Sequence, residues 1–202
     1  MKLHKLRNNF MKLILGSSSK YRKDLMEKAG YVFEVLIPEL DEKEIIENDP
    51  YKRPLLLARA KANVLISKIN EPALLITSDA VAVCNGKLRE KPESEEEARK
   101  FLREYSAGVA PEGVTAIVIF NTATGVYYEG VAKAQVFWNP FSESVIENFI
   151  KIGDPLGRAG GFGVQHPILR PYVKKIEGNE ESIVGMPIHL LKELLTKAGY
   201  HV

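Results

Sequence analysis

Strand-like apolar runs in this 202-residue chain are joined in two different ways, and that combination narrows the folds open to it. Some runs are separated by helix-length segments. Residues 12–16 (KLILG) and 31–37 (YVFEVLI) bracket a predicted helix over 20–29, where Tyr21, Leu25 and Ala29 share one face and Gly30 stands where a glycine would stop it. A second helix is predicted over 53–69, with Pro54 in its first turn and Ala58, Ala62, Leu65 and Ile69 as its stripe. Other runs are joined by tight turns. Asn85-Gly86, after a strand over 73–84, signals a two-residue hairpin, and Asn121–Gly125 links strands over 114–120 and 126–138. Helical crossovers go with parallel neighbours and hairpins with antiparallel ones, so the expected class is α/β with a mixed sheet. Ser94 and Glu97 form a capping box for a helix burying Ala98, Phe101, Leu102 and Tyr105. Ser142 is expected to cap a helix through Val145, Ile146, Phe149 and Ile150 that Gly153 ends, and a last helix is expected over 187–198.

Composition excludes several functions. At 45% hydrophobic and 27% charged residues, the chain is an ordinary globular one. A chain of this length buries roughly 70% of its unfolded surface, so it needs no disulfide or metal to fold. Cys84 is the only cysteine, which removes internal disulfides and multi-cysteine metal sites. No two of the four histidines have the spacing of a helical metal pair. Twenty-eight Lys and Arg against 26 Asp and Glu leave a formal charge of +2, too little for a nucleic-acid field, so any anion site is local. No apolar run reaches the ~18 residues of a membrane span. Residues 1–10 carry Lys2, Lys5 and Arg7 without a signal core, and read as an N-terminal extension, native or left from expression. Residues 11–202 then form one domain, with the cytoplasm as the default location.

Several residues could carry chemistry, each beside a plainer reading. In LILGSSSKYRK, a helix start follows three serines, with Arg22 close by. Its free N–H groups and dipole would cradle a phosphate, or Ser19 and its neighbours form a plain cap. Asp41 and Glu42 form a carboxylate pair suited to Mg²⁺ or Mn²⁺, or Asp41 is a helix cap. Lys61 flanks an apolar stripe and is either functional or snorkels to water. Asp79 ends LLITSD and is followed by more apolar residues, a costly place for a carboxylate without a partner. In ideal hairpin register Ala80 faces Lys91, so Asp79 and Lys91 can share a site only if the strand bulges or ends near Lys91. The loop 153–165 (GDPLGRAGGFGVQ) holds five glycines, Arg158 and Gln165. It suits close approach to a ligand or a tight structural crossing. Cys84 reads as a packed thiol, and no Ser–His or Cys–His nucleophile is evident.

Taken in order, these segments resemble the Maf-like nucleotide pyrophosphatase family. The opening motif appears as Leu15-Gly16-Ser17-Ser18-Ser19-Lys20-Tyr21-Arg22, and the acidic pair as Asp41-Glu42. Ala58-Arg59-Ala60-Lys61-Ala62 matches the helix motif. Asp79-Ala80-Val81-Ala82 with Gly86, Leu88 and Lys91-Pro92 matches the strand segment. Arg158 to Gln165 matches the glycine loop, and Val184-Gly185-Met186-Pro187 the closing motif. The resemblance implies an elongated mixed sheet flanked by helices, as in the inosine-triphosphate pyrophosphatases, with two lobes around a nucleotide cleft. It also implies hydrolysis of a nucleoside triphosphate to the monophosphate and pyrophosphate with Mg²⁺ or Mn²⁺, and a cytoplasmic homodimer. By the same resemblance Asp79 is the proton acceptor and Glu42 with Asp79 holds the metal. Lys61, Lys91, Arg22 and Ser17 meet the phosphates, Arg158 adds a cation, and Gln165 lies near the base or the metal.

Departures from the family bear on the base. In the pyrimidine-nucleotide branch the positions of Tyr21, Ala80 and Gln165 carry Arg, Thr and Gln, and only Gln165 matches. An aromatic at Tyr21 resembles the branch acting on 7-methyl-GTP, whose members usually lack the glutamine loop. Gly157-Arg158 replaces an Asp-Lys pair, and the family's Gly-Arg-x-His stretch is missing from SAGVAPEG. The kept glutamine loop tips the expectation to a pyrimidine triphosphate. A nucleotide-binding regulatory module without turnover, linked to cell-division control, is the alternative.

Overall fold

A computed structural model describes residues 11–200, so the predicted extension over 1–10 lies outside the described residues. Its centre is one seven-stranded mixed sheet. Strand β1 (Lys12–Gly16) pairs in parallel with β2 (Glu34–Val35) on one side and with β3 (Ala73–Cys84) on the other. Beyond β3 the sheet is antiparallel, through β5 (Glu112–Asn121), β6 (Val126–Trp138) and β7 (Val173–Gly178). A short β4 (Lys87–Arg89) returns along β3 through the Asn85-Gly86 turn. Both turn residues have positive φ, 51° and 73°, as a type I′ hairpin needs.

Helices α1 (Lys20–Lys28) and α2 (Arg53–Ile66) cover opposite faces of the sheet. Helix α2 buries Leu57, Ala58, Lys61, Ala62 and Leu65 at three- and four-residue spacing. They pack with Ile14, Leu75, Ala116 and Val118. On the other face, Leu13, Leu15, Leu74, Ile76, Ile117 and Ile119 meet Met26 of α1 and the apolar side of α6 (Ile188–Lys197). A further core at the far end joins Ala82 and Val136 to α3 (Glu95–Ser106), α4 (Glu143–Ile152), Phe162 and Val164. These two ends are the lobes.

The predicted strand over 31–37 shortens to Glu34–Val35. Val32 and Ile37 are exposed, and only Ile14 and Leu15 of β1 offer it backbone partners. Ser142 stands at the N-cap of α4 but makes no capping bond, because its hydroxyl pairs with Ser144 at 2.8 Å. Ser94 does cap α3, accepting from the N–H of Glu97 at 3.2 Å, and the Glu97 carboxylate takes the N–H of Glu93. Strand β7 and helix α5 (Glu180–Val184) are elements that periodicity did not reveal.

One feature of the sheet opens a notch. Strand β1 stops at Gly16, opposite Thr77, and β4 reaches only from Ala82 to Cys84 along the same edge of β3. Between them, Ser78 to Val81 bond to β5 on one side and to no strand on the other. The notch opens at the lobes' junction.

Candidate active site

Asp79 lies in this notch, on the face of β3 that packs against α2. One helical position on the buried side of α2 is Lys61, which donates to Asp79 Oδ1 at 2.6 Å. Its ammonium also lies 2.8 Å from Glu42 Oε1, which arrives on a 3₁₀ turn over Glu42–Glu44. Lys61 and Asp79 are 7% and 6% exposed, so Lys61 does not snorkel. The Asp41-Glu42 pair divides its roles. The Asp41 carboxylate accepts from the N–H of Lys43 at 3.0 Å and caps the turn, while Glu42 turns to Lys61.

Burial pushes the Asp79 carboxyl above its ordinary 3.8, against the pull of Lys61 and Arg22, and the Glu42 charge adds to the rise. Burial also lowers the pKa of Arg22, with Asp79 and Glu42 opposing it. Asp79, Lys61 and Arg22 therefore share one desolvated space, and Glu42 reaches Lys61 from its exposed edge.

Ser17 and Arg22 complete that space. Ser17 Oγ accepts from the N–H of Ser19 and from Arg22 Nη1, each at 3.2 Å. Ser19 caps α1 through the N–H of Arg22 at 3.4 Å. The cap of α1 and the Ser17–Arg22 contact thus share one helix start. Arg22 Nε donates to the carbonyl of Gly185 at 3.1 Å, and Ser78 Oγ donates to the same carbonyl at 2.9 Å. Gly185 has φ +104°, ends α5, and turns that carbonyl toward both. Sequence reading missed Ser78 as a supporting residue. Its signal was a hydroxyl beside Thr77 and Asp79 in an otherwise apolar strand. Ala80 lies on the opposite face from Asp79, beside Gly185.

The structure brings Tyr21 and Arg158 together but moves Tyr21 out of the core. Tyr21 is 43% exposed, although its sequence spacing aligns it with Leu25 and Ala29. Arg158 Nη2 donates to Tyr21 Oη at 2.5 Å, and its guanidinium lies 4.9 Å from the ring centroid. Gln165 is exposed, with its amide donating to Glu180 at 3.1 Å, and Arg170 holds the other oxygen of Glu180. The glycine loop meets the β4 end of the notch, where Gly160 N–H bonds to the carbonyl of Glu90 at 3.0 Å. Lys91 follows as an exposed side chain with no ion pair among the described residues. Because β4 ends at Arg89, Lys91 leaves the ladder before its ideal place opposite Ala80. Asp79 and Lys91 are not in direct contact.

Cys84 is buried, with its sulfur 4.0 Å from Tyr105 Oη, and burial raises its pKa. It is a packed thiol. A pocket of about 420 Å³ lies at the other end of β1, lined by Lys12, Glu34, Lys68 and Glu71 among others. Lys12 is paired there with Glu34 and Glu71, and Lys68 with Glu39, so the pocket offers an anion no free cation. No helix among the described residues is long and apolar enough to cross a membrane.

The family model described as Maf-like protein matches residues 12–198. The chain is 38% identical over 194 residues to a 7-methyl-GTP pyrophosphatase of Dictyostelium discoideum, covering 93% of this chain and 97% of that one. It is 32% identical over 191 residues to a dTTP/UTP pyrophosphatase of Alkaliphilus metalliredigens, covering 95% and 97%. By the extent of the family match and these identities, the chain belongs to the Maf-like protein family.

Proposed function

We propose that the chain is a nucleoside triphosphate pyrophosphatase that cleaves between the α- and β-phosphates, with the notch of β3 as its active site. The observation that carries this reading is the buried Asp79–Lys61 pair beside Arg22. It supplies a proton acceptor and phosphate-binding cations within one water-poor space. Names of the relatives that span nearly the whole chain point to the same chemistry.

Water attacks the α-phosphorus, the bond to the bridging oxygen breaks, and pyrophosphate leaves. Asp79 takes the proton of the attacking water at Oδ2, since Oδ1 is held by Lys61. Its raised pKa makes it a better proton acceptor than an exposed carboxylate. Arg22 and Lys61 meet the negative charge that grows on the transferred phosphoryl group and the leaving pyrophosphate. Lys91, at the rim, meets the outer phosphates. Ser17 and the start of α1 fix the orientation of Arg22.

Among the described residues no group of three or more Asp, Glu, His and Cys converges on a metal position. The donor set nonetheless fits Mg²⁺ or Mn²⁺. Glu42 and Asp79 both reach one cation, the Lys61 ammonium, and Mg²⁺ is commonly bound by one or two carboxylates with substrate phosphates and water. Glu42 with Asp79 would hold the ion. When bound, it neutralises phosphate charge and polarises the reacting phosphoryl group.

For the base we propose a pyrimidine, with Tyr21, Ala80, Arg158 and Gln165 on its side of the cleft. The exposed ring of Tyr21 and the relative named for 7-methyl-GTP support a second reading, a methylated guanine. Residues 11–202 are read as one domain. A cytoplasmic homodimer follows from the family resemblance.

The test is turnover of UTP, dTTP, CTP, GTP and 7-methyl-GTP with Mg²⁺ or Mn²⁺, and with a chelator. Equal release of monophosphate and pyrophosphate, lost on chelation, is expected. Release of orthophosphate, or no turnover of any of the five, would overturn the reading.

A further inference from the structure

We infer that Arg158 selects the base: held on Tyr21, its guanidinium favours a neutral base with a keto oxygen and opposes a positively charged one. The inference rests on the proposal that Tyr21 flanks the base. Arg158 is not a loose surface cation. Its Nε donates to the carbonyl of Gly153 at 3.2 Å, and its Nη2 donates to Tyr21 Oη. A Cβ placed on Gly163 would come within 2.8 Å of Nη1, so the glycine leaves room for the guanidinium. The contact spans 137 residues and ties α1 to the glycine loop.

Two consequences follow from this placement. Nη1 makes no hydrogen bond among the described residues, so the guanidinium keeps donors that the protein does not use. A guanidinium donates and never accepts, so it suits the carbonyl oxygens of uracil or thymine. The second consequence concerns charge. A lone tyrosine attracts a cationic ring through its quadrupole. Here the guanidinium already lies over Tyr21, and a 7-methylguanine cation brought to the same ring would meet a like charge a few ångströms away. The aromatic residue that would suit a methylated purine is thus claimed by an arginine.

The experiment compares kcat/KM for UTP, dTTP, GTP and 7-methyl-GTP in the wild type, Arg158→Gln, Arg158→Ala and Tyr21→Phe. Conditions are slightly acidic, where the methylated ring is fully cationic. Binding of UMP and 7-methyl-GMP to the same proteins is measured by calorimetry, which needs no turnover. Wild type is expected to favour UTP over 7-methyl-GTP by roughly tenfold or more. Arg158→Gln should lower UTP while raising 7-methyl-GTP relative to GTP, so the preference collapses. Tyr21→Phe, which keeps the ring and loses one bond, should shift the ratio in the same direction by less. A wild-type preference for the methylated substrate, or an equal loss on all four in Arg158→Gln, would overturn the inference and assign Arg158 to the phosphates or to the fold. If no triphosphate turns over, the proposed activity fails by itself. The UMP to 7-methyl-GMP binding ratio then decides this inference: a collapse in Arg158→Gln upholds it and an unchanged ratio refutes it.

Discussion

Lys61 donates to Asp79 across 2.6 Å, with both side chains 8% exposed, and the same ammonium holds Glu42 at 2.8 Å. The two buried partners are not equivalent. Removing Lys61 leaves two carboxylates facing each other, whereas neutralising Asp79 leaves Lys61 with Glu42.

Asp79→Asn should therefore abolish turnover and spare the fold. Loss of a general base costs ~10²–10⁴ in rate. The pKa of Asp79 is raised, so its favourable contribution to folding belongs to the protonated form. That contribution is complete below the unfolded-state pKa and is lost as pH rises through the folded one. At neutral pH the neutral asparagine then costs little stability. A folded, purified variant with near-wild-type kcat would remove Asp79 from the chemistry.

Lys61→Ala should destabilise by about 3–5 kcal/mol at neutral pH, as expected when one partner of a buried pair is removed. The loss should shrink on acidification, because Asp79 takes up a proton and ceases to be a buried charge. Denaturant unfolding at several pH values checks this, and a pH-independent loss contradicts it.

Activity should fall on the acid side at a higher pH than an exposed aspartate would give. Asp79 has to be ionised to accept a proton, and burial holds its pKa above 3.8. The acid limb of kcat/KM reads this directly. A limb at the pKa of an unperturbed aspartate would mean that another group titrates.

Gly185→Ala should lower both stability and rate. Its φ of +104° costs an L residue roughly 1–2 kcal/mol, or about 2–8 °C in Tm for a chain this size. An added Cβ would lie 3.5 Å from Arg22 Nε, so any backbone relief moves the carbonyl that Arg22 and Ser78 share. A rise in KM for triphosphate is expected with the loss of stability. An unchanged KM would show that Arg22 does not need this anchor.

Lys91→Ala should weaken triphosphate binding by roughly ten- to a hundredfold and monophosphate binding much less, since a lost charge-assisted hydrogen bond is worth ~1.5–3 kcal/mol. Lys91 is exposed and unpaired among the described residues, so the fold should not change. Calorimetry with a slowly hydrolysed triphosphate and with the monophosphate separates the two, and equal losses would place Lys91 away from the outer phosphates.

Local chemistry made much of this legible from residue order alone. Helical periodicity located α1 and α2, and continuous apolar runs bounded by turn residues located β1, β3 and the β5–β6 hairpin, because a helix repeats its buried side at 3.6 residues while a strand buried on both faces is apolar throughout. Asp79 stood out because an uncompensated carboxylate in an apolar strand is too costly to be incidental. Lys61 needed the fold. A lysine beside an apolar stripe either snorkels or turns inward, and only the packing of α2 on β3 shows that it meets Asp79. Which of Asp41 and Glu42 faces the site depends on a single turn, since one caps it and the other points away from it. The notch over Ser78–Val81 exists because β1 and β4 stop short of each other along β3, a matter of register that no local pattern encodes. Tyr21 and Arg158 are the extreme case. Helical spacing left Tyr21 either in the core or beside the base, and its partner lies 137 residues away, where only tertiary packing brings a guanidinium to its ring.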